Sequence, residues 1–472
     1  MVGWPTSLAN VKTQRAHRVL FLCLVLVLLL EHSLWLAGQW PGFFNYDTFV
    51  NIIDARAGVF SRWVSYSYSS YIMALQWIQQ SPGFIGVAQS LAASVLTAAF
   101  FVWTYRASGS RRVFISLIIF CLVPLHFMTS IYYTRNWLFS WVHVTLVVLF
   151  SIVALQYRYQ RRSPRLWCLM ALSGLAIVLS DLRQDGKLVL GALLLLFIFV
   201  FFSHRRALGR FFALVVIPFA LLTWTGFLEI KPERVYRLTG LVNPLSYMLH
   251  NGVVPSEEDR LLIERVFDYG ALMTNYSEYE IPAFHSGAWR RGFTEADLSA
   301  LQDFLFRSIR QHPKVFLQNR LKMARGLLGN QHTILIVDDL GYRPTPGSPI
   351  ARFREQLNLN KAPLSPLFNA WQWPTVRRSY AGFGKDWDMS NHLPLALCLL
   401  GLGLFYFLPI TAAASALILV RVPLVFLMAS APQLHYLYSV FLFAFAIVPL
   451  AMVEWQMRKS GRNSAKKNLE PI

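Results

Sequence analysis

Residues 19–37 read VLFLCLVLVLLLEHSLWLA. Apart from Glu31 and His32 the run is apolar on every face, with no polar side to turn toward water. A helix satisfies its own backbone groups, and a run of this length can lie in hydrocarbon. Arg15 and Arg18 precede it, and no small-x-small cleavage site follows. It therefore reads as a retained first helix rather than a signal peptide.

Runs of the same kind recur along the chain. The sequence predicts further spans at 84–104, 113–130, 137–156, 166–180, 188–203, 211–228, 392–408, 410–430 and 437–455, which makes about ten. The whole-chain composition agrees. Of 472 residues, 55% are hydrophobic and 14% charged, where a soluble protein carries about 25% charged residues. Mean hydropathy is +0.42. The fold class expected is an all-α membrane bundle.

A formal net charge of +20 would suit nucleic acid, but its placement excludes that partner. The basic residues sit in every second connection: Arg15 and Arg18, Arg106 to Arg112, Arg158 to Arg165, Arg205 to Arg210, and Lys459 to Lys467. This is the positive-inside pattern, and it predicts both termini cytoplasmic. The outer segments are then 38–83, 131–136, 181–187, 229–391 and 431–436. Three divisions follow: an N-terminal bundle of seven spans over 1–228, an extracytoplasmic segment 229–391, and C-terminal spans with a basic tail over 392–472. The four cysteines, Cys23, Cys121, Cys168 and Cys398, all fall in predicted spans, so neither a disulfide framework nor a zinc site is implied.

Segment 229–391 reads as mostly helical. Ser256 and Thr294 open capping-box-like starts, and Leu298, Leu301, Phe304, Leu305 and Ile309 recur at helical spacing. His312-Pro313 should interrupt that helix, and a second should run from Lys314 to Leu328 before Gly329 stops it. From Gly341 to Trp387 no period is legible. Trp371 and Trp373 suit headgroup anchoring, and Asn275 opens an NYS sequon.

Ionisable residues gather at the outer turns. Asp47 and Asp54 lie seven apart in the first outer loop, a spacing that puts both on one face of a helix. One carboxylate could deprotonate a hydroxyl while the other orients it. The turn DLRQDGK holds Asp181, Arg183, Asp185 and Lys187, more charge than a minimal connection needs, and its cations suit a phosphate. The plain alternative pairs Asp181 with Arg183 and Asp185 with Lys187. Arg135 occupies the 131–136 turn, and His435 and Tyr436 stand before the last span. Arg421, inside an apolar span, should face a charge partner or a wet cavity. No metal motif or cofactor is called for.

Taken in order, PGFFNYDTF (41–49), YYTRNWLFS (132–140), LRQDGKLVL (182–190), LVNPLSYMLH (241–250), QHPKVFLQNR (311–320) and PQLHYLYSV (432–440) resemble the GT-C superfamily of membrane glycosyltransferases. The likeness is greatest to bacterial members distantly related to the dolichyl-phosphate-mannose-type transferases. It implies a GT-C-like bundle in the bacterial inner membrane. It also implies a polyprenyl-phosphate-linked sugar donor, a glycan, lipid or protein acceptor, and inverting transfer. Asp47 matches the loop acid expected as catalytic base, Arg183 the basic residue before the sixth span and His435 the polar residue before the last. Read from the residues, Asp54 joins the catalytic pair, and Arg135, Asp185, Lys187 and Tyr436 join the substrate-binding set. The chain departs from the family in having Arg135-Asn136 at the fourth span and His435 where an arginine is expected. Alternatives of other kinds are a lipid-linked glycan polymerase, a lipid or glycan transporter, and an assembly scaffold.

Overall fold

The computed structural model describes residues 8–44, 46–60, 65–224, 234–274, 289–290, 292–329, 349–357, 359, 363–381, 390–429 and 434–467. Asn275 and Trp387 lie outside them. The described residues form α1 (Leu8–Gly38), α2 (Tyr46–Arg56), α3 (Tyr66–Ile78), α4 (Gly83–Ser108), α5 (Val113–Leu122), α6 (Pro124–Ser130), α7 (Arg135–Gln160), α8 (Leu166–Leu182), α9 (Gly186–Phe201) and α10 (Arg205–Trp224). There follow α11 (Arg234–His250), α12 (Glu257–Val266), α13 (Tyr269–Thr274), α14 (Glu295–Gln311), α15 (Pro313–Leu328), α16 (Pro349–Gln356) and α17 (Pro366–Ala381). The chain closes with α18 (His392–Gly403), α19 (Pro409–Leu419), α20 (Val422–Met428), a 3-10 turn (Leu434–Leu437) and α21 (Tyr438–Lys467).

Six helices are long and apolar enough to cross a membrane: most of α1, then α4, α7, α10, α19 with α20, and the first part of α21. α5 and α6 make a seventh crossing if the pair counts as one, bent by 68°. Pro124, which lacks an N–H and clashes with the preceding turn, accounts for the bend. The other three expected spans form as apolar helices α8, α9 and α18, of 17, 16 and 12 residues. A straight crossing needs about 20. By length and composition six or seven crossings stand among the described residues, and a count of ten needs the three short helices as well.

The bundle is built around α21, which packs on α4, α5, α7, α18 and α19. Of its apolar window 72% is buried, against 17% for the peripheral α10. The basic turns gather at one end. His17 meets the Tyr105 ring at 5.9 Å, Tyr157 bonds Ser203 at 2.7 Å, His204 bonds Ser163 at 3.1 Å, and Arg458 donates to the Phe407 carbonyl. At this end the Glu454 carboxylate, fully buried, accepts from the Ile410 and Thr411 amides at 3.0 and 2.8 Å, the Thr411 hydroxyl at 2.8 Å and Tyr159 at 3.0 Å. It caps α19 from another helix.

Segment 229–391 is helical as expected, but it does not separate from the bundle at its predicted borders. The Ser256 and Thr294 caps form. α14 stops at Gln311, and α15 begins at Pro313 and ends against Gly329, whose φ is +95°. The hydrophobic face of α14 closes a small core of its own with α11 and α12. α15 bridges two cores, with Val315 packed on this one, and α16 and α17 lie against the bundle. Met323, Leu327, Leu357 and Val376 join the bundle's core, Gln372 donates to the Leu34 carbonyl at 2.9 Å, and a side chain at Gly38 would overlap Gln372. α16 and α17 occupy the stretch where the sequence shows no period.

Candidate functional site

At the end of the bundle opposite the basic turns, the 131–136 turn is a junction. Its residues Ile131 to Thr134 are all buried. On one side it holds the first loop. The Phe43 amide donates to the Ile131 carbonyl at 2.8 Å and the Tyr133 amide to the Phe43 carbonyl at 3.1 Å. The Thr48 and Tyr68 hydroxyls both donate to the Tyr133 carbonyl, Tyr68 at 3.3 Å. Gly42, at φ +109°, lies so close to the Tyr133 phenol that no side chain would fit there.

On its other side the turn meets the cations. Arg183 donates to Asn136 Oδ1 and to Asp185 Oδ1 at 2.9 Å. Arg421 donates to Asp185 Oδ2 at 2.6 and 2.8 Å, and to the Tyr436 carbonyl at 2.8 Å. The Arg183 guanidinium lies 5.1 Å from the Tyr436 ring and 5.7 Å from that of Phe139. The Arg421 guanidinium lies 4.5 Å from the Phe139 ring. His435, buried, packs its ring against Tyr132 at 5.7 Å and Tyr436 at 5.0 Å, and its Nδ1 has no hydrogen-bond partner. Two guanidinium groups thus share one carboxylate. The Arg421 side chain is 1% exposed while that of Arg183 is 17% exposed, so Arg183 is the part of the triad a ligand can reach.

Burial would raise the Asp185 carboxyl, but Arg183 and Arg421 outweigh it and hold the group well below the usual carboxylate range. Burial, with Tyr71 beside it, pushes the Tyr68 phenol well above its ordinary value, so it remains a neutral donor. Asp47 and Arg135 are both within electrostatic reach of that phenol. Asp47 is exposed in the first turn of α2.

Of the residues singled out in the sequence, Arg135, Arg183, Asp185, His435 and Tyr436 meet around the 131–136 turn, and Asp47 borders it through Thr48 and Tyr68. Asp54 shares α2 with Asp47 but makes no contact with the arginines. Lys187 is exposed, and the ion pairs of Asp185 go to Arg183 and Arg421. The plain pairing inside DLRQDGK is replaced: Asp185 binds Arg183 and Arg421, while Asp181 accepts from the Ser67 amide at 2.7 Å. Thr48, Tyr68, Tyr133 and Asn136 were not foreseen. Arg421 was, as a charge needing a partner. A surface depression lined by Arg15, Val19 and Cys23 lies toward the other end of α1, away from this chemistry.

The described arrangement defines an all-helical chain with several helices able to cross a membrane and a polar junction at one end. No family model, no curated protein and no solved structure matches it.

Proposed function

We propose that the chain is a GT-C-type membrane glycosyltransferase that moves a sugar from a polyprenyl-phosphate donor to a glycan, lipid or protein acceptor. In this reading the apolar segments, ten counting the short helices, lie in a bacterial inner membrane. The basic turns face the cytoplasm and the junction faces outward. The observation that carries it is the triad of Arg183, Asp185 and Arg421, joined by the 131–136 turn to the loop that bears Asp47. Arg183, held by Asn136 and Asp185, would neutralise the lipid phosphate as it departs, a charge-stabilising role that costs no reorganisation. Asp47 would take the proton of the acceptor hydroxyl as it attacks the anomeric carbon. Arg421 would act through Asp185, fixing Arg183 rather than touching substrate.

The test is transfer of label from a radioactive lipid-linked sugar in membranes. Asp47→Asn should lower the rate by about 10²–10⁴-fold and Arg183→Gln by about 10²–10³-fold. Full activity in Asp47→Asn removes the assignment.

A second reading, lipid translocation without chemical change, is favoured by one observation. Transporters use broken helices at their sites, and the described residues include one bent pair, α5–α6 at Pro124. Movement of labelled lipid across proteoliposomes with the lipid recovered intact would favour it.

A further inference from the structure

The helices on one flank are too short for an ordinary bilayer. α8 has 17 residues and α9 has 16; at about 1.5 Å per residue they rise about 25 and 24 Å. The hydrocarbon core is about 30 Å thick. Tilting shortens the projected length further, so it cannot close the gap. α9 is a peripheral helix, and Leu188, Leu195, Phe199 and Phe202 make one exposed apolar stripe along it. The stripe is bounded by charge at both ends: exposed Lys187 at the junction end, exposed Arg205 and Arg206 at the other. Lys187 makes no ion pair with any described residue, and four positions before it Arg183 offers the accessible part of the triad.

We propose that this flank thins the bilayer, drawing the headgroups of the facing leaflet down to Lys187, and that an anionic lipid bound at Lys187 stands beside Arg183. Thinning is one response to a short span, beside snorkelling of flanking side chains and oligomerisation. Lys187 supplies the point charge for a lipid phosphate. The α8–α9 flank is then where a lipid anion enters the junction sideways from the membrane. That last step rests on the proposed function; the thinning and the lipid contact do not.

The full chain carrying Cys23→Ser, with Leu188→Cys or Leu195→Cys, is spin-labelled and placed in vesicles of dioleoyl-phosphatidylcholine with dioleoyl-phosphatidylglycerol. Collision with oxygen and with an aqueous nickel chelate gives the depth of each label, with the protein lacking an introduced cysteine as control. The expected result is a Leu188 label at headgroup level and a Leu195 label in hydrocarbon. Both labels in hydrocarbon, with Leu188 well below the headgroups, would overturn the thinning. Native mass spectrometry of the wild type should show phosphatidylglycerol retained several-fold over phosphatidylcholine, with the preference lost in Lys187→Gln. Equal retention of the two lipids by wild type would overturn the lipid contact. Neither readout involves sugar transfer, so an inactive enzyme with a thinned bilayer would defeat the proposed function and leave this inference standing.

Discussion

Asp185 is the residue on which the junction turns. A buried guanidinium without a counter-charge costs several kcal/mol, and the described contacts give Arg421 no other carboxylate. Asp185→Asn should therefore destabilise the protein by about 3–5 kcal/mol, read as a lowered melting temperature in detergent. The pH dependence has a definite sign. The folded carboxyl is held below its unfolded value of about 4, so its contribution is complete above that pH and is lost as pH falls through the window toward the folded value. The gap between wild type and Asp185→Asn should thus be widest at neutral pH and shrink below about pH 4; a gap independent of pH would count against the ion pair. Sequence showed that DLRQDGK held surplus charge. It could not show the pairing, because Arg421 stands 236 positions from Asp185, and partners inside the heptapeptide looked as good.

At the scale of helices, two contacts set how elements meet. The α8–α9 corner closes because residue 186 is glycine: a side chain there would strike the Leu179 carbonyl oxygen, a backbone atom that cannot swing aside. Gly186→Ala should open the corner and displace Asp185. The expected readouts are a lowered melting temperature and faster deuterium exchange over 179–190. Thr294→Ala, which removes a complete capping box, should cost about 1 kcal/mol and leave the bundle unaffected; hydrogen exchange confined to the start of α14 would check it. Such caps, and the stops at Pro313 and Gly329, were legible because they are written within a few residues. The lengths of α8 and α9 were less so, since hydropathy runs on through turns that charge has cut. The break at Pro124 was missed for the related reason that it lies inside a continuous apolar run.

For the whole molecule, the change from the small core to the bundle falls within α15 rather than at residue 391. One residue ties the parts. Arg320, 1% exposed, donates to Asn319 at 2.8 Å, to Asn243 at 3.0 Å, and to the Leu427 and Ala429 carbonyls at 2.9 and 3.1 Å. It joins α11 and α15 to the C-terminal end of α20, where a cation meets the negative end of the helix. Arg320→Met should orphan these acceptors at about 1–3 kcal/mol each. Exchange over 423–429 should rise while the separate core around Ile263, Leu298 and Leu301 stays protected; unfolding of both together would refute the division. The sequence shows neither border nor tie, because α16 and α17 have no legible period and the apolar face of α15 says that it is buried without saying against what.

α19 carries a further consequence. Its first amides point at the Glu454 carboxylate, and Arg421 follows two residues past its end. An anion at the positive end and a cation at the negative end oppose the macrodipole. The rod beside the junction is therefore electrically quiet along its length, and a visiting phosphate would sense the local arginines rather than a field running through the bilayer. Replacing Glu454 by glutamine should then disturb the far end of α19 while leaving anion affinity at Arg183 unchanged.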